Sequence, residues 1–330
     1  MKILIVGSKA RYEKNKPEAG FPDFAEMTFF ERGTPDEVIL EKADPETEVA
    51  LVDAIAKVSR KVIEAFPKLK LIHSEGVGYE GVDIKAATER GIYVCNNKGI
   101  NAGAVAEQAI LLMLGILRRV VKGDAQVRSG LQMKAKEQAM IEGITELGDC
   151  SVGLLGFGDI GQATASRLRA FGSKVYYYDV FRLSEEKEAA LGATYLTVDE
   201  LAAKCDFISI HAAVTAETEN LVNADFLSKM KPTAYLINTA RGEIVDNLAL
   251  REAIITGSIA GAGLDTIAPE PTTADNPVVD LPEAVRGRVI YSPHFGGITL
   301  GAIRRGHINM WKNIILLHEG KRPANVVNEV

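Results

Sequence analysis

The sequence has 330 residues, of which 47% are hydrophobic and 25% charged, enough for two domains with separate cores and too apolar for a disordered or fibrous chain. Its formal net charge of −6 is spread along the chain without a long run of like charges, which argues against a nucleic-acid partner. Three cysteines without a Cys-x-x-Cys pair predict neither a disulfide framework nor a metal site, and they are typical of a reducing, cytoplasmic compartment.

The apolar runs of the chain are short. The first, within Met1–Gly7, is better interpreted as a strand than as the core of a signal peptide. The longest uncharged apolar run, Ala109–Leu117, has nine residues and cannot span a bilayer. We therefore expect a soluble protein with no membrane partner.

Such runs alternate with helix-period stretches along the whole chain, which is the pattern of parallel sheets covered by helices. In a first block, a helix is predicted at Ser59–Phe66 and strands at Lys2–Val6, Val49–Val52, Leu69–His73 and Ile92–Val94. The glycine-rich loop Ser74–Gly81 follows the third of these strands, and its backbone N–H groups can turn inward to bind an anion.

A second block follows Ala102–Leu117, a stretch so apolar that it predicts a helix buried on all sides, placed where two domains meet. Six strands suit a dinucleotide-binding sheet, and they are predicted at Ser151–Leu155, Lys174–Tyr178, Asp206–Ile210, Ala234–Asn238, Gly261–Leu264 and Val289–Tyr291. The last predicted helix, Leu300–His318, needs a partner surface, which we expect to be the first domain. Its apolar positions are Ile303, Ile308, Trp311, Ile314 and Ile315.

A G-x-G-x-x-G sequence stands between the first strand of the second block and a helix. Gly156 permits a tight turn, Gly158 allows the backbone to approach a pyrophosphate, and Gly161 allows close helix packing. Asp179 ends the next strand, where its carboxylate can accept hydrogen bonds from ribose hydroxyls and repel a 2′-phosphate. The pattern predicts NAD in preference to NADP, although Arg182 can weaken that preference.

Three polar residues follow strands of the second block: Arg241, Glu270 and His294. Ligands of open parallel sheets bind outside the carboxyl ends of the strands. An arginine fork can hold the carboxylate of a 2-oxo acid, a histidine can donate a proton near neutral pH, and a carboxylate can orient that histidine. Taken singly, each also has an ordinary structural explanation, as a turn, a solvated loop charge or a strand end.

The other histidines are weaker candidates. His307 and His318 have the spacing of a helix surface, His73 carries no further signal, and His211 is interpreted as structural or cofactor-lining. Glu75 and Glu80 flank the presumed anion loop, and two carboxylates there oppose a second negative charge on a substrate. We therefore expect a monoanionic acid such as glyoxylate, hydroxypyruvate or pyruvate in preference to phosphohydroxypyruvate.

These residues resemble the D-2-hydroxyacid dehydrogenase family over nearly the whole chain. The resemblance rests on the glycine fingerprint and on Gly76–Asp83, Ala104–Gln108, Met230–Asp246, Ala262–Asp265 with Glu270–Pro271, and Ser292–Gly297. It implies Arg241 as substrate anchor, Glu270 as partner of the histidine, and His294 as proton donor in the reductive direction.

The resemblance also implies a fold and further binding residues. Residues 1–100 with 299–330 are expected to form a flavodoxin-like substrate domain, and residues 101–298 an inserted Rossmann NAD-binding domain, in a homodimer. Substrate contacts are implied at Val77, Gly78, Tyr79, Arg241 and His294. Cofactor contacts are implied at Gly156, Gly158, Asp159, Ile160, Gly161, Asp179, His211, Thr239, Ala240, Arg241, Asp265, His294 and Gly297.

The sequence departs from the family pattern at two places, and three functions remain possible. Ala212 and Ala213 stand after His211 where the family usually has proline, and Leu131 lies near a position often held by tryptophan. The preferred function is NAD-dependent interconversion of a 2-oxo acid and its D-2-hydroxy acid. The alternatives are an NAD(H)-binding regulatory or scaffold protein and a formate- or phosphite-type dehydrogenase, since a fold alone does not decide function.

Overall fold

The computed structural model describes residues 1–18 and 20–330, which divide into two compact units. Unit 1 comprises Met1–Asn101 and Leu300–Val330, and unit 2 comprises Ala102–Thr299. These limits lie one residue from the domain limits expected from the sequence. Elements are numbered below along the whole chain.

Unit 1 contains a five-stranded, all-parallel sheet in the order β2-β1-β3-β4-β5, which is the flavodoxin-like order. Its strands are β1 (Lys2–Val6), β2 (Glu26–Phe30), β3 (Thr47–Val52), β4 (Leu71–Ser74) and β5 (Tyr93–Cys95). The helices between them are α1 (Lys9–Lys14), α2 (Asp36–Lys42), α3 (Arg60–Ala65) and α4 (Ile84–Glu89). The central strands β1 and β3 are covered on both faces, which explains why they are continuous apolar runs in the sequence.

Unit 2 contains a seven-stranded, all-parallel sheet in the order β12-β11-β10-β9-β6-β7-β8. Its strands are β6 (Ser151–Leu155), β7 (Lys174–Tyr178), β8 (Ala193–Tyr195), β9 (Phe207–Ile210), β10 (Tyr235–Asn238), β11 (Gly261–Leu264) and β12 (Val289–Tyr291). Its helices are α5 (Ala102–Leu117), α6 (Val120–Arg128), α7 (Gln132–Glu142), α8 (Asp159–Phe171), α9 (Glu185–Leu191), α10 (Val198–Lys204), α11 (Ala224–Lys229), α12 (Asn247–Thr256) and α13 (Glu283–Arg286). The strand order reverses at β6, between β7 and β9, so a ligand is expected at the carboxyl ends of β6 and β9.

The two doubly wound parallel sheets confirm the predicted fold class, but each has one strand more than the sequence predicted. The additional strands, β2 and β8, lie at sheet edges. β2 is only partly buried over most of its length, and β8 has three residues. Edge strands of this kind lack the continuous apolar run that identified the others.

Helix α5 has the predicted bounds, and nine of its residues are buried. The expectation that it is buried on every side was wrong, because Glu107 is exposed and the Leu111 side chain is 59% exposed. Within residues 1–18 and 20–330, α5 and the other helices lack the combination of length and apolar character needed to cross a bilayer.

The final helix, α14 (Leu300–His318), belongs to unit 1 as predicted. Met310, Trp311 and Ile314 pack with buried residues of β1, β3 and β4 to form one core of that unit. Two predicted contact positions are wrong: Ile308 and Ile315 are 40% and 39% exposed. The surface prediction for His307 is also wrong, since that side chain is buried.

Candidate active site

The turn between β6 and α8 requires glycine at two of its three motif positions. Gly156 has φ +94°, and a Cβ there would lie 2.6 Å from backbone atoms of His211 and Ala212, at the end of β9. A Cβ on Gly161 would lie 2.4 Å from the carbonyl oxygen of Gly156. Both glycines therefore allow backbone segments to approach each other at the point where the strand order reverses.

Gly158 differs, because nothing lies within 4 Å of a Cβ built on it. It is the N-cap residue of α8 and has no side-chain cap, so the first N–H groups of the helix are not occupied by a capping oxygen. Asp159 and Ile160 are the first two residues of that helix. Open space in front of a 13-residue helix fits an anionic group such as a dinucleotide pyrophosphate.

Asp179 follows β7 and is held against this turn. Its Oδ2 accepts a hydrogen bond from the Phe157 N–H at 2.7 Å, and its Oδ1 accepts one from the Phe181 N–H at 2.9 Å. Each carboxylate oxygen can accept more than one hydrogen bond, so ribose hydroxyls can still bind.

Two buried polar atoms at the ends of β9 and β10 have no hydrogen-bond partner among the described residues: His211 Nδ1 and Thr239 Oγ1. Unpartnered buried polar atoms are rare and indicate a missing ligand or water. The other ring nitrogen, His211 Nε2, is 3.0 Å from Ser209 Oγ. Burial of the ring lowers the pKa of His211 to about 4, so it is neutral at pH 7 and unsuited to donating a proton.

The backbone around Arg241 is fixed by Asn238, the last residue of β10. Asn238 donates from Nδ2 to the Arg241 carbonyl at 2.8 Å and accepts from the Ala240 N–H at 3.0 Å. A Cβ at Gly242 would lie 2.0 Å from the Ala268 nitrogen, so only glycine fits after the arginine. Asn238 and Gly242 were not identified from the sequence as positioning residues.

His294 follows β12 and has φ +56°, a left-handed conformation uncommon outside glycine. Its Nδ1 lies 2.9 Å from both carboxylate oxygens of Glu270. An ionised carboxylate only accepts, so Nδ1 carries the hydrogen in this contact and Nε2 is the ring nitrogen turned to other partners. The structure thus brings together the predicted histidine and carboxylate, both with half-exposed side chains.

Asp265, directly after β11, holds the His294 turn. Its buried carboxylate accepts the N–H groups of Phe295 and Gly296, at 2.9 and 2.8 Å, and the hydroxyl of Ser292. Gln108 of α5 donates to the Ser292 oxygen at 2.8 Å. The resemblance placed Asp265 near the nicotinamide, but the bracing roles of Ser292 and Gln108 were missed.

Arg241, Glu270 and His294 therefore follow three adjacent strands, β10, β11 and β12, and lie beyond the carboxyl ends of the strands of the unit 2 sheet. The glycine turn and Asp179 also lie at the carboxyl ends of strands, after β6 and β7. A sheet end that presents an arginine, a histidine–carboxylate pair and an anion-binding helix terminus can bind an acidic substrate and move a proton.

In unit 1, the loop Ser74–Gly81 has an internal scaffold. Ser74 Oγ donates to the Gly78 carbonyl at 2.6 Å, and Asn96 Nδ2 donates to the Val77 carbonyl at 2.8 Å. The N–H groups of Val77 and Gly78 donate to no acceptor within the described part of the chain. These two N–H groups fit the predicted anion-binding role of the loop.

Glu75 is not an unpaired carboxylate beside that loop, as the prediction of a monoanionic substrate assumed. Its side chain is 8% exposed and forms an ion pair with Arg11, while Oε1 lies 3.7 Å from His307 Nε2. Burial raises the pKa of Glu75, and burial lowers the pKa of His307 to about 4. Since Arg11 compensates the charge of Glu75, this carboxylate gives no reason to exclude a doubly charged substrate.

Comparison with known proteins adds an independent line of argument. A family model described as D-isomer specific 2-hydroxyacid dehydrogenase, NAD binding domain, matches residues 110–296. A glyoxylate reductase from Thermococcus litoralis is 39% identical over 302 residues, covering 90% of this chain and 88% of that protein. A D-3-phosphoglycerate dehydrogenase from Mycobacterium leprae is 36% identical over 294 residues, covering 89% of this chain and 53% of that protein.

Among solved structures, one similar fold is an NADPH-dependent glyoxylate/hydroxypyruvate reductase from Sinorhizobium meliloti, in complex with NADP and malonate. It superimposes on this chain with a TM-score of 0.79 and 29% identity, covering 99% of this chain and 96% of that one. The likeness therefore extends over both units.

Proposed function

The chain belongs to the D-isomer specific 2-hydroxyacid dehydrogenase family, and we propose that it is an NAD-dependent enzyme interconverting a small 2-oxo acid and its D-2-hydroxy acid. The observation that carries this proposal is the hydrogen-bonded pair of His294 and Glu270 at the sheet edge that also carries the glycine turn. A protein that only binds a dinucleotide has no need of a proton donor there.

Each of the three polar residues has a defined role in this reaction. A bound reduced nicotinamide supplies the hydride that C2 of the oxo acid receives. Arg241 binds the carboxylate of the acid with its planar fork, and His294 donates the proton from Nε2 to the carbonyl oxygen. Glu270 orients the ring by accepting a hydrogen bond from Nδ1. In the oxidative direction His294 accepts the proton from the hydroxyl group.

The preference for NAD is supported by Asp179, whose carboxylate stands at the end of β7, where a ribose is bound in dinucleotide folds. The negative charge of the Asp179 carboxylate repels a 2′-phosphate bound at that position. The NADPH-dependent relative from Sinorhizobium meliloti makes this preference a point to be tested.

We propose glyoxylate and hydroxypyruvate as the first substrates to test, on the strength of the relatives that bear those names. Phosphohydroxypyruvate stays in the comparison, because Glu75 is paired with Arg11 and no longer argues against it. The unpartnered N–H groups of Val77 and Gly78 support the prediction that these residues, with Tyr79, contact the substrate.

The experiment is a steady-state assay of NADH and NADPH oxidation with glyoxylate, hydroxypyruvate, pyruvate, phosphohydroxypyruvate and branched 2-oxo acids. Oxidation of formate and of phosphite, the alternative reactions, is tested by adding each of them with NAD⁺. We expect turnover of at least one 2-oxo acid with NADH. Tight NADH binding without turnover of any acid contradicts the proposal and favours a regulatory protein.

Arg241→Ala tests the substrate anchor within this assay. We expect kcat/KM to fall by about 100-fold or more, because the substrate carboxylate loses a bidentate, charged partner. The exposed Arg286→Ala serves as the matched control and is expected to leave kcat/KM unchanged. Near-normal kcat/KM in Arg241→Ala with the best substrate refutes the anchor assignment.

A homodimer is part of the proposal, and the helices α6 and α7 support it. Neither helix contains a buried residue, and exposed apolar side chains are spread over both. They are Val120, Val121 and Val127 in α6 and Met133, Met140 and Ile141 in α7, and the exposed Leu131 directly precedes α7. Many large apolar side chains exposed on two consecutive helices support an association surface there.

Sedimentation equilibrium tests the dimer. We expect about twice the chain mass of 35.6 kDa for the wild type and a shift toward the single-chain mass for Ile141→Glu. Leu248→Glu, which also places a charge at an exposed apolar position, is the control. We also propose a cytoplasmic location, since all three cysteines are buried free thiols suited to a reducing compartment.

A further inference from the structure

A partly buried carboxylate in unit 2 holds an arginine that lies shortly after Asp179. Glu188 of α9 accepts hydrogen bonds from Arg182 Nε at 2.8 Å and from Arg182 Nη2 at 3.2 Å. The Glu188 side chain is 12% exposed, whereas that of Arg182 is 54% exposed. The guanidinium also lies 4.9 Å from the centre of the Tyr195 ring, a cation–π distance.

Glu188 is itself held in place by Tyr177 of β7. The Tyr177 hydroxyl donates to Glu188 Oε1 at 2.8 Å, and the Tyr177 oxygen accepts the Leu183 N–H at 3.0 Å. Tyr177 is a fully buried residue of β7, two positions before Asp179. The carboxylate is therefore positioned by the same strand that positions the proposed ribose-binding aspartate.

We propose that Glu188 is a specificity-determining residue that holds Arg182 away from the cofactor and so denies a 2′-phosphate its cationic partner. This inference rests on the proposed dinucleotide-binding function of unit 2 and deepens it. It assigns NAD preference to two separate groups, the repelling carboxylate of Asp179 and the arginine clamp of Glu188.

The chemistry of the guanidinium supports this assignment. A carboxylate and a phosphate bind an arginine fork in the same bidentate manner, so they compete for the same N–H groups. Arg182 lies three residues beyond Asp179. In dinucleotide folds that bind NADP, an arginine near the acidic position accommodates the 2′-phosphate. In this chain Nε and Nη2 of Arg182 both donate to Glu188.

The test compares NADPH and NADH in wild type, Glu188→Gln and Glu188→Ala, using the kcat/KM ratio with the best 2-oxo acid and the Kd of each reduced cofactor. We expect Glu188→Ala to raise the NADPH/NADH ratio by about tenfold, the size of one charge-assisted hydrogen bond. Glu188→Gln keeps an acceptor for Tyr177 and is expected to raise the ratio less. Glu186→Ala, an exposed glutamate of the same helix, is the matched control.

The double variant Glu188→Ala/Arg182→Ala separates the clamp from a simple loss of negative charge. If the released arginine binds the phosphate, the gain in NADPH use disappears in the double variant. A gain that persists there, or no gain in folded Glu188→Ala and Glu188→Gln, overturns the inference. The cofactor Kd values provide the answer even for a protein that turns over no acid, so failure of the proposed reaction is distinguished from failure of the clamp.

Discussion

Asp265 shows how a single residue can hold a reactive group in an uncommon backbone conformation. Its carboxylate accepts the Phe295 and Gly296 N–H groups and the Ser292 hydroxyl, and its backbone oxygen accepts the His294 N–H at 2.9 Å. A left-handed conformation at a non-glycine residue costs about 1–2 kcal/mol. The hydrogen bonds to Asp265 offset that cost and fix the direction of the His294 ring.

We expect Asp265→Asn to damage the reaction more than the fold. The amide cannot accept all of the N–H and O–H groups that the carboxylate accepts, so the free energy of unfolding should fall by about 1–3 kcal/mol. Misplacement of His294 should lower kcat by about 10-fold or more in the protein that remains folded. Urea unfolding and steady-state kinetics measure the two effects separately.

Ser292→Ala is the graded control for that prediction, because it removes only one of the hydrogen bonds to Asp265. Its effects should be smaller in both measurements. If Asp265→Asn lowers stability and leaves kcat unchanged, the residue braces the fold without positioning His294.

At the scale of elements, the turn between β6 and α8 contains glycines that are required for two different reasons. Gly156 and Gly161 lie against backbone atoms, whereas Gly158 faces open space. Gly156 and Gly161 are therefore required for folding, whereas Gly158 leaves room for a ligand that approaches the turn from solvent.

Alanine substitutions should reveal this difference. Gly161→Ala places a Cβ against the Gly156 carbonyl and should lower the free energy of unfolding by about 1–3 kcal/mol. Gly158→Ala should leave stability within about 0.5 kcal/mol, as substitutions outside packed regions do, while raising the Kd for NADH by about tenfold. Thermal unfolding and NADH titration measure both. Equal destabilisation by the two variants contradicts the assignment.

The elements predictable from the sequence were those with a local apolar pattern or a motif beside them. Strands β1, β6, β7, β11 and β12 and helices α5 and α14 have the predicted bounds. The edge strands β2 and β8 were missed because a half-exposed edge has no continuous apolar run. The centre of each sheet was therefore predictable together with one edge strand, β5 or β12, and the opposite edge strand of each sheet was not.

The candidate site was predictable only in part for a related reason. Arg241, Glu270 and His294 each follow a recognisable strand, so the shared sheet edge could be inferred. The contact of Gln108 with Ser292 joins residues 184 positions apart and has no local signal. Likewise, the burial of His307 and the pairing of Glu75 with Arg11 depend on how α14 and α1 pack, which helical spacing does not encode.

At the scale of the whole molecule, three neutral histidines couple folding to pH. Burial lowers the pKa values of His73, His211 and His307 to about 4 each, against 6.5 for an unperturbed ring. Asn313 donates to His73 Nε2, which requires that ring to stay neutral. Below pH 6.5 the unfolded chain binds protons that these folded rings refuse, so stability falls as pH falls from 6.5 toward 4.

We expect each fully enclosed ring to lower the free energy of unfolding by about 2 kcal/mol between pH 7.5 and pH 5. Unit 1, which contains two of these rings, His73 and His307, should lose more than unit 2, which contains one of them, His211. The raised pKa of Glu75 acts in the opposite direction and offsets part of the loss.

Amide hydrogen exchange at the two pH values measures this effect in each unit separately. His307→Gln should flatten the pH dependence of unit 1, and the exposed His318→Gln on the same helix should not. A pH dependence of unit 1 unaltered by His307→Gln contradicts the prediction.

The placement of α14 has a consequence for how the protein is synthesised. Met310, Trp311 and Ile314 cover one face of a sheet whose strands all lie before residue 96. At about 5–20 residues per second, a ribosome needs on the order of 10–40 s to pass through unit 2 before it reaches that helix. Throughout this interval the apolar face formed by β1, β3 and β4 lacks the part of its cover that α14 supplies, and transiently exposed apolar surface promotes aggregation. Translational pausing within unit 2 should therefore increase aggregation of the emerging chain.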